Sequence, residues 1–271
     1  MSGRIVLVTG ATGGIGREIV HRLAARGDRP LLVGRNEATL QTLVQEVPGG
    51  EAMVCDVTKR NQVERLVEDV ISRYGRLDVL INNAGYGRFG GALEVPIEEY
   101  AGMMEANYLG AVHMSLAFLP HMLQSGAGRI VNIASIAGLT GAPNLAGYCA
   151  SKFALLGFSE SLQMEFAPRI QVSVLCPGPV DTPFFRGVSP FRYFPSPIAR
   201  RTLPPSVVAE HTLRLIDRPG IKVIPRSLGM AIRLRRWFPR MAVRLTGHLY
   251  HTLRKQKSVS AVSSSPGRSE S

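Results

Sequence analysis

The sequence predicts a doubly wound α/β fold, a parallel sheet of about seven strands with helices on both faces. Three observations carry that expectation. Short apolar runs alternate with longer stretches of helical spacing, a glycine-rich turn joins the first run to the first helix, and 271 residues suffice for one substantial domain of this kind.

Ile5–Val8, Pro30–Val33, Ala52–Cys55, Val79–Ile81, Arg129–Ile133 and Gln171–Leu175 read as successive strands, and Lys222–Ile224 as an edge strand. Between them the spacing predicts helices over Gly16–Arg26, Glu37–Gln45, Asn61–Tyr74, Ile97–Leu123 and Ala146–Phe166. Gly27 and Gly75 stand where helices stop, and Gly126-Ala127-Gly128 marks a tight entry to the fifth strand. From Pro183 to Pro205 the rhythm breaks. Six prolines and the aromatics Phe184, Phe185, Phe191, Tyr193 and Phe194 argue against a regular helix or central strand and for a functional loop. The expected organisation is therefore a domain over residues 1–225, with 183–205 as its lid, a basic helical extension over 226–257, and a serine-rich disordered tail over 258–271.

Composition excludes several classes. Cys55, Cys149 and Cys176 are odd in number and widely spaced, and no Cys/His cluster occurs, so neither a disulfide framework nor a metal site is expected. A reducing, cytoplasmic setting follows. The opening apolar run is too short for a secretion signal, and no stretch approaches the roughly 20 apolar residues of a membrane span. The net charge of +12 is uneven: residues 1–217 hold 20 Lys/Arg against 19 Asp/Glu, whereas 218–269 hold 12 Lys/Arg and no acid. A neutral main domain argues against nucleic acid as partner.

The chemistry begins at Thr9-Gly10-Ala11-Thr12-Gly13-Gly14-Ile15-Gly16, between the first strand and helix. Glycines there let a pyrophosphate approach the backbone, and a helix N-terminus offers free N–H groups and a positive dipole. No Lys-Ser/Thr pair follows, which excludes a P-loop. Further along stand Asp56-Val57, Asn82-Asn83-Ala84-Gly85, Asn107, Ser135, Tyr148-Cys149-Ala150-Ser151-Lys152 and Pro177-Gly178-Pro179-Val180-Asp181-Thr182. In this order, and up to about Thr182, these residues resemble the short-chain dehydrogenase/reductase family, with its TGxxxGxG, NNAG and YxxxK signatures.

The resemblance implies a Rossmann-type fold and hydride transfer between a nicotinamide and a carbonyl or alcohol carbon. It implies catalytic roles for Asn107, Ser135, Tyr148 and Lys152. It further implies cofactor contacts from Gly10, Thr12, Gly13, Gly14, Ile15, Gly16, Asp56, Val57, Asn83, Ala84, Gly85, Tyr148, Lys152, Pro177, Gly178, Val180 and Thr182. Asn107 would position a water that links Lys152 to solvent, and pairing through the long central helices would give a homodimer or homotetramer. Elementary chemistry agrees with the central pair: residues four apart share a helix face, and a nearby ammonium favours the phenolate of a tyrosine that otherwise ionises near pH 10.

Two further expectations come from single positions and from the tail. Gly34 and Arg35 stand where an acid would accept a ribose 2′-OH, leaving room and a guanidinium for a 2′-phosphate. NADP(H) is thus expected over NAD(H), the alternative being an Arg35 that stacks on adenine without selecting either. The lid aromatics fit an apolar carbonyl or alcohol substrate, or equally an inward-packed satellite core. In the tail, Leu234, Trp237, Phe238, Met241, Leu245 and Leu249 share a helical face from which Arg236, Arg240 and Arg244 lie well away, with Pro239 as a kink. Such a segment over 228–257 fits peripheral attachment to an anionic membrane, or packing against the domain or a second subunit. The rivals to an NADPH-dependent reductase are an NAD-linked alcohol dehydrogenase and a catalytically silent NADP(H)-binding protein.

Overall fold

The computed structural model describes residues 3–185, 202–241, 243–248, 250 and 252. The expected lid aromatics Phe191, Tyr193 and Phe194, Leu249 of the tail face, and the serine-rich terminus lie outside the described residues.

Seven parallel strands form one sheet in the order β3-β2-β1-β4-β5-β6-β7. They are β1 (Ile5–Thr9), β2 (Arg29–Gly34), β3 (Glu51–Val54), β4 (Val79–Asn82), β5 (Gly128–Ile133), β6 (Ile170–Pro177) and β7 (Ile221–Ile224). Because side chains alternate along a strand, β1 feeds two cores. Ile5 and Leu7 pack with α3 (Arg60–Tyr74), α5 (Gly110–Gln124) and α6 (Ala146–Phe166) through Val63, Val67, Phe118 and Leu162. Val6 and Val8 pack on the other face with α1 (Gly14–Ala25) and α2 (Glu37–Glu46) through Ile19, Leu23 and Leu40. Both faces are covered, which is why the strands read as continuous apolar runs.

Local signals set the helix ends. The Asn36 side chain accepts a hydrogen bond from the Thr39 amide at 2.9 Å and caps α2. Gly75 closes α3 with φ +71°, a conformation that a residue with a Cβ rarely adopts.

Two regions differ from the sequence expectation. The helix foreseen over Ile97–Leu123 is divided into α4 (Ile97–Met104), a π turn (Glu105–Leu109) and α5. The proline-rich run closes in the first residue of α7 (Pro205–Asp217), a helix not foreseen. Pro205 sits in its first turn, where no intrahelical N–H is needed and a fixed φ is an advantage. Val208, Ala209, Leu215 and Ile216 of α7 complete the second core. The tail helix breaks where Pro239 predicts: α8 (Arg226–Trp237) is followed by a bend at Phe238, and helix resumes at Pro239. No described helix is long and apolar enough to cross a membrane.

Candidate active site

The strand order reverses between β1 and β4, so the loops after these strands diverge and leave a crevice at the sheet's C-terminal edge. The glycine-rich turn lies there. Gly10 has φ +64°, and a Cβ at Gly16 would lie 2.2 Å from the Gly10 carbonyl oxygen, so α1 can only sit this close to the turn with glycine at that position. The Gly13 amide donates to Gly10 O at 3.1 Å, and the Arg17 amide to Gly13 O at 2.8 Å. No side chain caps α1, no acid stands in its first turn, and Thr12 and Gly13 are exposed. The amides at the start of α1 therefore face the crevice with the dipole unneutralised, a donor set that fits a dinucleotide's pyrophosphate. Thr182 closes over the same place, for a Cβ on Gly14 would meet Thr182 Cγ2 at 2.7 Å.

Thr9 holds the two loops together, a role the motif reading passed over. Its buried Oγ1 accepts from the amides of Asn83 (2.9 Å) and Ala84 (3.0 Å). The Asn83 side-chain amide in turn donates to the carbonyls of Thr9 (3.0 Å) and Gly10 (3.1 Å). Asn82, at the end of β4, donates to Ser115 Oγ and Asn132 Oδ1, and Asn132 donates to Ser159 Oγ, which fastens β4 and β5 to α5 and α6. The available signal was a polar residue closing each of two adjacent apolar runs.

Ser135, Tyr148 and Lys152 are all buried and converge beside the end of β5. Lys152 Nζ donates to the Ile133 carbonyl at 2.8 Å and lies 5.9 Å from the Tyr148 ring centre. Burial lowers the Lys152 pKa to about 8. Burial also raises that of Tyr148, outweighing the opposing pull of the hydrogen bond with Ser135. The expectation that the ammonium would favour the phenolate thus meets a larger effect: desolvation keeps the phenol neutral. Ser135 Oγ accepts from the Ala137 amide at 3.1 Å.

Asn107 lies in the π turn, fully buried. Its Oδ1 accepts from the Tyr86 amide (2.8 Å), and its Nδ2 donates to the Tyr86 carbonyl and Ser151 Oγ (2.9 Å each). Ser151 Oγ donates onward to the Tyr148 carbonyl at 2.8 Å. The amide is thus engaged by protein partners, and through Ser151 it ties the loop after β4 to the helix that carries Tyr148. Gly85 leaves room for it, since a Cβ there would sit 2.4 Å from Asn107 Oδ1.

Most of the remaining expected cofactor residues stand at or just after the C-terminal ends of strands. Arg35 is exposed at the end of β2. Asp56 Oδ1 accepts from the Thr58 amide and hydroxyl, and the Val57 carbonyl is 3.1 Å from His113 Nδ1. Pro177 ends β6, the Gly178 amide donates to Ile224 O at 2.7 Å, and Val180 bridges to Leu203. Ile15 lies half-buried at the start of α1. Around Tyr148, Phe89, Met103, Ala137, Leu145 and Cys149 form an apolar wall with Tyr86, Ala142 and Phe184 against it. The Phe184 ring meets the Tyr148 ring edge-on at 5.6 Å. Phe184 therefore packs inward, onto the wall beside the Tyr148 ring.

An open parallel sheet with an anion-receptive turn at its switch point and a buried Ser-Tyr-Lys group beside it defines a dinucleotide-dependent α/β oxidoreductase. The short chain dehydrogenase family model matches residues 4–192. A 3-ketodihydrosphingosine reductase of Bacteroides thetaiotaomicron is 40% identical over 186 residues, spanning 68% of this chain and 66% of that protein. An actinorhodin polyketide ketoreductase variant solved with NADPH superposes with a TM-score of 0.75 at 35% identity, covering 82% of this chain and 95% of that one. A 3-ketoacyl-(acyl-carrier-protein) reductase from Brucella melitensis complexed with NADH also gives 0.75, at 28% identity, covering 82% of this chain and 97% of that one. The chain belongs to the short-chain dehydrogenase family and is an oxidoreductase that uses a nicotinamide cofactor.

Proposed function

We propose that the protein is an NADPH-dependent reductase of lipophilic ketones or aldehydes, with Tyr148 as proton donor. The observation that carries this reading is a buried Tyr148 phenol, its pKa raised by desolvation, packed in an apolar cluster that includes Phe89, Met103, Leu145 and Phe184. Such a wall suits an aliphatic or polyketide-like carbonyl compound. Relatives whose names specify ketodihydrosphingosine, polyketide and ketoacyl substrates support the same class.

When bound, the nicotinamide supplies hydride to the carbonyl carbon. Gly14 and Ile15 would hold the pyrophosphate through backbone amides, with Thr182 closing over them, and Lys152 would hold the ribose. Ser135 Oγ hydrogen-bonds the carbonyl oxygen, and Tyr148 delivers its proton to that oxygen. The Lys152 ammonium stabilises the phenolate left behind. Asn107 is a positioning residue that acts through Ser151. The test is nicotinamide absorbance with a panel of long-chain ketones and β-ketoacyl thioesters. Turnover with NADPH is the expected result, and tight cofactor binding without turnover anywhere in the panel would instead identify a silent binding protein.

Lys152 also gives the reaction a pH dependence. Its ammonium is present below about 8 and lost above. Reductive kcat is expected to fall as pH rises through that value, and the inflection should vanish in Lys152→Met measured at saturating cofactor. An unchanged inflection in that variant would assign it to another group.

For the cofactor, Arg35 and the absence of an acid at the end of β2 favour the 2′-phosphate. Arg35→Ala is expected to weaken NADPH binding about tenfold while NADH binding is unchanged, because an exposed charge-assisted contact contributes on the order of 1–2 kcal/mol. Calorimetric titration of both cofactors decides it; equal affinities before and after the substitution would remove the phosphate argument. Pairing into a homodimer or homotetramer completes the proposal.

A further inference from the structure

Beyond residue 228, the described residues expose a run of large apolar side chains. Met230, Leu234, Trp237, Phe238, Met241 and Leu245 are each more than half exposed. Met230, Leu234 and Trp237 stand four and three apart along α8, and Met241 and Leu245 stand four apart beyond the bend at Phe238, so each helical stretch carries its own exposed apolar side. Arg240 and Arg244 are exposed as well and fall on a neighbouring face. No acid occurs between residues 218 and 269, where 12 Lys/Arg stand. Single exposed apolar residues need no explanation, but a contiguous row with an aromatic pair at its centre marks an interaction surface.

We propose that this face is a docking surface for an anionic phospholipid bilayer. The segment lies in the headgroup boundary, with Trp237, Phe238 and Met241 against the acyl chains and Arg240 and Arg244 at the lipid phosphates. A span is excluded by length and charge, because α8 has 12 residues and includes Arg226, Arg233, Arg235 and Arg236. What selects the bilayer over a second copy of this chain is charge. Pairing two copies of the same surface would bring arginine-rich segments together with no carboxylate between them, whereas anionic lipid supplies the missing countercharge. Tryptophan is also the side chain best suited to the membrane interface, and Trp237 is the chain's single tryptophan.

That single tryptophan makes the test direct. The full chain is mixed with phosphatidylcholine vesicles, with and without phosphatidylglycerol, and followed by flotation and by Trp237 emission. Flotation and a blue shift with the anionic vesicles alone are expected, both declining as salt is raised. Arg240→Gln with Arg244→Gln should reduce partitioning by on the order of thirtyfold, given roughly 1 kcal/mol per basic residue at such a surface. The triple variant Trp237→Ser, Phe238→Ser, Met241→Ser should not float. Retained NADPH binding in each variant shows that the main domain is folded. Absence of flotation by the parent chain overturns the proposal, as does equal flotation with neutral vesicles or undiminished flotation of the triple variant. A parent chain that ignores vesicles but loses self-association in the triple variant would identify the face as a contact between copies, which also overturns it. Turnover is not scored, so the result stands apart from the substrate reading.

Discussion

Tyr148→Phe is expected to lower reductive kcat by about 10²- to 10⁴-fold while cofactor affinity stays within a factor of about two, the range that a positioned general acid supplies. The ring is what the apolar wall holds: it packs with Phe89, Met103 and Leu145 and meets Phe184 edge-on. Phenylalanine preserves that packing, so the substitution removes the hydroxyl and little else. The substitution removes the hydrogen bond with Ser135, worth about 1 kcal/mol and too small by itself to unfold the domain. Single-turnover NADPH oxidation separates the chemical step from binding. A variant that kept more than about a tenth of parental kcat would show that the proton comes from elsewhere. The raised pKa of Tyr148 adds a directional expectation. A neutral phenol is already in the proton-donating state, whereas the oxidative direction must first remove that proton from a buried group. At neutral pH, reduction should therefore be the faster direction.

Much of this site could be read from residue order, because its parts sit at fixed places in a regular architecture. The glycine turn had to follow the first strand, and Tyr148 and Lys152 had to share a face of a helix whose bounds, Ala146–Phe166, the spacing predicts to the residue. Three features were hidden for physical reasons. The start of α7 falls on Pro204-Pro205, which read as a continuation of the proline-rich loop, although proline is favoured in a helix's first turn. The π turn at Glu105–Leu109 has no local signature, since it is set by where Asn107 must reach in three dimensions. Ser151 lies at a variable position of the YxxxK pattern, so its bridge between Asn107 and Tyr148 shows only when the helices are placed. The pKa of Tyr148 was foreseen in the wrong direction, because spacing reveals the neighbouring charge but not the depth of burial.

Asn107→Leu is expected to destabilise the fold by roughly 3 kcal/mol and to lower kcat more than it raises KM for the cofactor. Leucine is close in size, so the change is not chiefly one of packing. What disappears is an amide that satisfies both backbone groups of Tyr86 and one side of Ser151. Leaving a buried donor or acceptor without its partner costs about 1–3 kcal/mol apiece, and a leucine side chain offers nothing in return. These bonds start from the π turn, a rare single-turn irregularity that is frequent at functional sites. With the amide gone, Ser151 no longer anchors the Tyr148 carbonyl against the loop after β4, and the phenol is free to drift from the carbonyl oxygen it must protonate. Misplacement of this size lowers turnover without touching the glycine turn, so pyrophosphate binding should be largely retained. Thermal unfolding and steady-state kinetics of Asn107→Leu, set beside Ser151→Ala, provide the check. The serine variant should reproduce part of the kcat loss with a smaller loss of stability, since it breaks the bridge to Tyr148 and leaves the Tyr86 clamp intact. If Asn107→Leu unfolded at a lower temperature while its kcat stayed at the parental value, the clamp would be structural only, and the link to Tyr148 would carry no catalytic weight.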